Sequence, residues 1–411
     1  MPWLWAFVWF TLPVSLKASS VSLIVFGTGT LIQCFYEKPA VSRKQVVLFI
    51  LFILFFAWHA TGLLFDPAKH EVWKSLERKL SFIAIPLIML LVTGARWNLE
   101  KWAIRGFFAG LAVTGIHMLA LAIWHLIMGR TLEAVTYHEF TRPYTLGAIY
   151  YSWYLSAALY YLTFCSTEKI LDRFRPVIGI FFIILLLFSA SKLFILLTIP
   201  AVIWPLIKKY INRNNKKRYL VPVILLIMII LGSVPFISRL SDLKNTDLKI
   251  VGQHKFTYDS PFNGITFRLV LWRFAGEMMS ENRSWITGVG IGSRQEILNE
   301  HYVKYGIYTG NPDLGDRGYL GYNFHNQYLE ILTGTGVPGL ILLLSIIIYI
   351  FTVKRVKLLF PFLVYIIVIV FFLTESVLER QTGIVFFCLI WTLRVNVPAN
   401  MKSVYGNITD H

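Results

Sequence analysis

Apolar runs recur along almost the whole chain, each close to the roughly 20 residues that cross ~30 Å of hydrocarbon, and nothing else constrains the fold as strongly. About twelve such runs can be drawn, at residues 3–16, 19–36, 46–65, 80–94, 102–128, 146–165, 175–190, 193–207, 219–237, 327–353, 358–374 and 381–396. With 56% hydrophobic and 16% aromatic residues, the 411-residue chain lies well outside soluble averages. The expectation is an all-α polytopic transmembrane helix bundle with one large, partly helical outer loop. Its parts are an N-terminal bundle over 1–237 with about nine spans, the loop over 238–325, about three spans over 326–397 and a tail over 398–411. Between 175 and 207, Ser191-Lys192 interrupts one long apolar run. That stretch reads either as two short helices or as one long helix with a buried lysine. The opening MPWLWAFVWF has no basic stretch and no small-residue cleavage site, so it reads as an anchor rather than a cleaved leader.

The net charge of +17 is chiefly a topology signal and requires no nucleic acid. Connections 37–44, 95–105, 166–175, 208–218 and 354–357, with the tail, carry about half of the 39 lysines and arginines and few acids. The 238–325 loop is nearly balanced, with ten basic and nine acidic residues. The positive-inside rule then puts both termini in the cytoplasm and the long loop outside, and an even span count agrees. The basic run 208–218 would also attract anionic headgroups, but a retention signal is the simpler reading. Cys34, Cys165 and Cys388 all lie in apolar runs, which argues against a disulfide framework or a zinc site. His59, His117 and His125 lie in spans, and no pair of histidines at helical spacing comes with an acid. Neither a metal nor a cofactor is expected.

A long polar loop in a membrane protein must sit in water or line a cavity. Within it, ITFRLVLWRFAGEMMSE (265–281) has helical periodicity, with Phe267, Leu271, Phe274 and Met278 on one apolar stripe. Such a helix would lie on the membrane surface or against the bundle. Arg273 has Glu277 four residues on as an ion-pair partner. Arg268 has Trp272 at the same offset and no acid, so its guanidinium must find a partner elsewhere. A diphosphate suits that planar bidentate donor; the alternative is an interfacial arginine reaching to headgroups. GVGIGS (288–293) has no strand before it in a βαβ unit, so it reads as a tight turn rather than a dinucleotide loop.

His325-Asn326 stands where the loop re-enters the membrane. A histidine titrates closest to neutrality and can take a proton from a sugar hydroxyl, although a histidine at a boundary can also be merely interfacial. Lys192, inside an apolar run, costs several kcal/mol unless it is paired or faces a polar cavity. It is either a functional cation or a side chain snorkelling from the outer end of its helix. Near the last outer turn, Glu375, Glu379 and Arg380 share one leaflet. Glu379 and Arg380 can neutralise each other, which leaves Glu375 as the better site candidate.

In order, the arginine and Trp272, GVGIGS, His325-Asn326 and GTGVPG (334–339), with TESVLERQTGIVFF (374–387), resemble the O-antigen ligase and polymerase superfamily of bacterial membrane glycosyltransferases. The resemblance implies about twelve spans, a large periplasmic loop and an inner-membrane location. It also implies transfer of a glycan from undecaprenyl diphosphate to an acceptor hydroxyl, without metal or nucleotide sugar. The family's Ser-Arg pair reads Ser191-Lys192 here, its loop arginine Arg268 with Trp272, and its His-Asn pair His325-Asn326. Lysine keeps the charge at 192 but loses the bidentate fork.

On these residues the implied chemistry is an inverting displacement. His325 would be the base, Arg268 and Lys192 would hold the diphosphate, and Asn326, Trp272 and Glu375 would support them. Cations beside the leaving diphosphate stabilise its charge more in the transition state than in the ground state. A covalent route is less favoured, because no glycosidase-type carboxylate pair is evident. The acceptor implied is lipid A-core. A repeat-unit polymerase or a protein O-glycosylation ligase would use the same donor. A lipid-linked glycan transporter is a different class, against which stands the lack of an evident internal repeat.

Overall fold

The computed structural model describes residues 1–396 apart from 40, 93–98, 166–168, 212–247, 259, 312, 314 and 353–358. The span expected at 219–237, most of the basic run 208–218 and the tail 398–411 therefore lie outside the described residues. Local chemistry starts and stops the first helices. α1 (Pro2–Thr11) has Pro2 at its first position, where the missing N–H is one of the helix's unpaired donors anyway, and it ends two residues before Pro13. Ser15 accepts from the Ala18 N–H to open α2 (Leu16–Cys34), and Ser42 with Gln45 forms a reciprocal capping box on α3 (Arg43–Ala60). Then follow α4 (Lys69–Lys79), α5 (Ser81–Leu91), α6 (Leu99–Ile127), α7 (Ala148–Phe164), α8 (Lys169–Phe188) and α9 (Lys192–Ile211). The loop contributes α10 (Thr266–Glu281) and α11 (Arg294–Lys304), and the chain closes with α12 (Gln327–Thr352), α13 (Leu359–Thr374) and α14 (Gln381–Asn396).

The break at Ser191-Lys192 makes two helices, not one. Ala190 takes φ 46°, a left-handed turn that ends α8, and Lys192 opens α9. Among the described residues three helical segments, Arg43–Phe65, Leu99–Ile127 and Gln327–Thr352, are long and apolar enough to cross a membrane by length and composition. That is fewer than the dozen expected from the sequence. Among the described residues the other apolar helices are shorter or less apolar. Pro13, for instance, leaves α1 ten residues, about 15 Å of helix.

Small residues let backbones meet, as helix pairs in lipid require. A Cβ on Gly106 would lie 1.9 Å from the Ala6 carbonyl oxygen and one on Gly110 2.3 Å from that of Phe10, so α1 lies directly on α6. Around this pair, Trp9, Phe107, Tyr154, Trp153, Phe371 and Phe386 form one aromatic core, with Tyr154 and Phe386 centroids 4.2 Å apart. Hydroxyl pairs pin α7 to its neighbours: Ser152 to Ser189 at 2.7 Å and Thr198 to Ser156 at 2.7 Å. Large apolar side chains such as Ile24, Ile116, Leu196 and Ile348 remain exposed on outward helix faces, the surface a bilayer covers.

The described part of the loop has a core of its own. Phe267, Leu271, Phe274 and Met278 are all buried, as the stripe required, but they pack on Leu298, Tyr302, Tyr305 and Ile307. The stripe is covered by the loop itself. Two glycine clusters then dock the loop on α12. Gly336 (φ 72°, ψ −175°) breaks that helix, its Cβ position lies 2.1 Å from the Ile286 carbonyl oxygen, and Val337 N–H donates to Trp285 at 2.8 Å. A Cβ on Gly288 (φ 73°) would lie 2.6 Å from the Thr333 carbonyl oxygen and from the Gly334 backbone. Any side chain at either glycine would push loop and helix apart.

Candidate functional site

The N-terminal half of α10 reaches two separate segments at once. Asn263 Oδ1 accepts from the Ile265 and Thr266 N–H groups at 2.9 Å each and fixes the chain ahead of the helix. Arg268 and Trp272, one turn apart, share a face. Arg268 NH1 donates to the Gly264 carbonyl at 3.0 Å, and NH2 donates to Glu375 Oε1 at 3.3 Å. Trp272 Nε1 donates to the Phe324 carbonyl at 3.1 Å. The partner that Arg268 lacked on its own helix is thus 107 residues away in sequence.

His325 is held in an unusual backbone state. Its φ is 46°, a left-handed conformation that costs a non-glycine residue roughly 1–3 kcal/mol and persists only when its surroundings enforce it. Asn323 Oδ1 accepts from the His325 N–H at 3.0 Å, and Trp272 holds the preceding carbonyl. Asn326 Oδ1 accepts from Tyr328 and Leu329 N–H, which makes it the cap of α12. His325 Nδ1 lies 3.2 Å from Glu375 Oε2. With Nδ1–H donating to the carboxylate, Nε2 keeps its lone pair, the tautomer a general base needs. The side chains of His325 and Glu375 are 25% and 20% exposed, so the pair is reachable from solvent.

Glu375 therefore joins the expected base and the expected diphosphate cation. Burial pushes its carboxyl up, but the His325 hydrogen bond and charge, with Arg268 beside it, outweigh burial and hold it below the ordinary carboxylate range. Lys192 opens α9 and is half-buried. Two residues on, Phe194 packs on Phe371 at 5.0 Å, and Phe371 accepts from the Glu375 N–H one turn later. The start of α9 thus stands beside the turn that carries Glu375.

Arg273 is engaged otherwise. It lies 3.2 Å from Glu277, as its spacing required, donates to the Val251 and Gln253 carbonyls, and stands over the Tyr305 and Phe274 rings at 5.0 and 5.1 Å. The GVGIGS turn spends N–H groups inside the protein. Gly292 N–H, Ser293 N–H and Ser293 Oγ–H all donate to the Asp66 carboxylate, at 2.6, 3.3 and 2.6 Å, and Val289 N–H goes to Thr333.

Sequence reasoning missed a buried charge network beside this pair. Lys79 Nζ donates to both oxygens of Glu379 at 3.1 Å, Arg294 lies 3.4 Å from Glu379, and Arg294 lies 2.7 Å from Glu330. Glu379 is thus neutralised by Lys79 and Arg294, residues remote in sequence, where adjacency had suggested Arg380. Burial would raise its carboxyl, but those two cations hold it well below the ordinary carboxylate range. The available signal was polarity out of place: Glu330 opens a strongly apolar helix, and Lys79 ends α4 immediately before the apolar α5.

A family model described as O-Antigen ligase matches residues 177–344. The matched segment contains Lys192, Arg268, Trp272, Arg294, His325, Asn326 and Glu330, and it stops short of Glu375. No curated protein matches the chain.

Proposed function

We propose that this chain, matched by the O-antigen ligase model over residues 177–344, is a ligase-type member of the O-antigen ligase and polymerase superfamily. In this reading it moves a glycan from undecaprenyl diphosphate to a hydroxyl of lipid A-core, at the periplasmic face of the inner membrane. The observation that carries the reading is Glu375, whose two oxygens engage Arg268 at 3.3 Å and His325 at 3.2 Å. Base and cation thereby each engage a different oxygen of one carboxylate.

His325 Nε2 takes the proton from the acceptor hydroxyl as that oxygen attacks the anomeric carbon. The anomeric C–O bond to the diphosphate breaks on the opposite face, and the configuration inverts. Arg268, a third exposed, is open enough to turn a guanidinium edge toward the departing diphosphate while its other contacts hold it. Lys192 adds a second positive charge to the same leaving group. Trp272 and Asn326 act through the backbone of the His325 segment. Such stabilisation counts because it grows as the diphosphate charge grows.

A lipopolysaccharide gel of a strain lacking this gene tests the assignment. A ligase leaves core without long glycan while carrier-linked polymer accumulates. A polymerase leaves core bearing a single repeat, and that pattern would replace the ligase reading with its sister activity.

A further inference from the structure

His325 and Glu375 sit on two segments without regular structure of their own, a left-handed residue ahead of α12 and the turn after α13. Their separation must be set by something that touches both. Glu330, one turn into α12, is fully buried. Its Oε1 accepts from the Phe324 N–H at 3.0 Å and from the Ser376 Oγ–H at 3.1 Å. Phe324 immediately precedes His325, and Ser376 immediately follows Glu375. One carboxylate oxygen therefore grips the neighbours of both members of the pair.

The rest of the network holds that oxygen in place. Arg294 NH2 lies 2.7 Å from Glu330 Oε2, and Arg294 NH1 donates to the Glu330 carbonyl at 2.6 Å. Arg294 also reaches Glu379 on the Ser376 turn, and Glu379 is bound by Lys79. Gln327 Oε1 accepts from the Leu378 N–H at 2.5 Å, a second strap between the two segments. Buried ion pairs are poor stabilisers, because desolvation offsets most of their attraction. Geometry is the better reason to keep one beside a reaction centre. A misplacement of about 1 Å can cost on the order of a hundredfold in rate.

We infer that Glu330 is a positioning residue whose Oε1 bridges the His325 and Glu375 segments and sets the separation of the base from its carboxylate. The inference rests on the roles proposed above for His325 and Glu375. Glu330→Gln would place an amide where Arg294 expects a carboxylate, and such a variant can fail to fold. Ser376→Ala is the decisive variant, because it removes one bond and leaves the ion network intact. Purified Ser376→Ala should show a kcat about tenfold lower, equivalent to about 1.4 kcal/mol at the transition state. KM for the diphosphate-linked donor should be unchanged, and Ser376→Thr, which keeps the hydroxyl, should restore kcat. A purely structural serine would instead lower thermal stability and leave kcat per folded molecule at the wild-type value. His325→Ala belongs in the same assay. If it is inactive while Ser376→Ala keeps wild-type kcat, the positioning role is wrong and the functional reading stands. If His325→Ala is fully active, the functional reading is wrong and the inference goes with it.

Discussion

Replacing Glu375 by glutamine keeps the shape of the side chain and removes the charge shared by Arg268 and His325. Two effects follow. In the wild type the two contacts, at 3.3 and 3.2 Å, are charge-assisted hydrogen bonds. Each would be worth roughly 1.5–3 kcal/mol if buried. Their partners are 20 to 34% exposed, so solvent screening reduces the pair to about 1–2 kcal/mol of stability. The sign with pH follows from the direction of the shift. A carboxyl held below its ordinary value of 4.5 contributes fully above that pH and loses its contribution as pH falls through the lowered value. The stability gap between wild type and Glu375→Gln should therefore be full at neutral pH and close in acid. The second effect is on rate. An amide no longer selects the Nδ1–H tautomer of His325, since it can present either an oxygen or an NH2 group. In a buried triad that loss reaches about 10⁴ in kcat; a partly exposed pair should lose on the order of 10². Glycan transfer by purified protein at neutral pH, with thermal unfolding at neutral and acid pH, measures both. A Glu375→Gln variant with wild-type kcat would refute the coupling of Glu375 to the base.

Arg268→Ala should weaken binding of a polyprenyl-diphosphate donor at least tenfold, roughly the loss of one charge-assisted contact. Arg273→Ala should leave donor affinity unchanged and lower the unfolding temperature, since Arg273 is spent on Glu277, two carbonyls and aromatic rings; equal effects on titration would make α10 structural throughout. Lys192→Arg should keep most activity and Lys192→Met should lose it without loss of stability, because methionine preserves the apolar stem; a fully active Met variant removes Lys192 from the site. Asp66→Ala strands the donors of Gly292 and Ser293 and should cost about 2–4 kcal/mol in denaturant unfolding; a neutral result would mean that the glycine turn stands without it.

What could be read from the sequence was whatever local spacing reports. The stripe Phe267, Leu271, Phe274 and Met278 is buried as its period required, and Arg273 meets Glu277. The stop at Ser191-Lys192 is a genuine helix boundary. The site itself depends on long closures that no window can see: Arg268 to Glu375 spans 107 residues and Lys79 to Glu379 spans 300. Glu379 illustrates the difference. Its sequence neighbour is Arg380, yet the turn aims its carboxylate inward to Lys79 and Arg294. Of the expected spans, three are helices long and apolar enough to cross among the described residues. Apolar composition marks what is buried or lipid-covered, but only unbroken helix length decides what can cross, and Pro13 cuts the first candidate short.

The most direct test of the central claim is glycan transfer by purified, folded His325→Ala in a lipid environment, with an undecaprenyl-diphosphate-linked donor and a lipid A-core acceptor. The account predicts that the variant binds donor as the wild type does, since Arg268 and Lys192 are untouched, and that transfer falls by at least about 10², the range of general base catalysis. Transfer at the wild-type rate would contradict it.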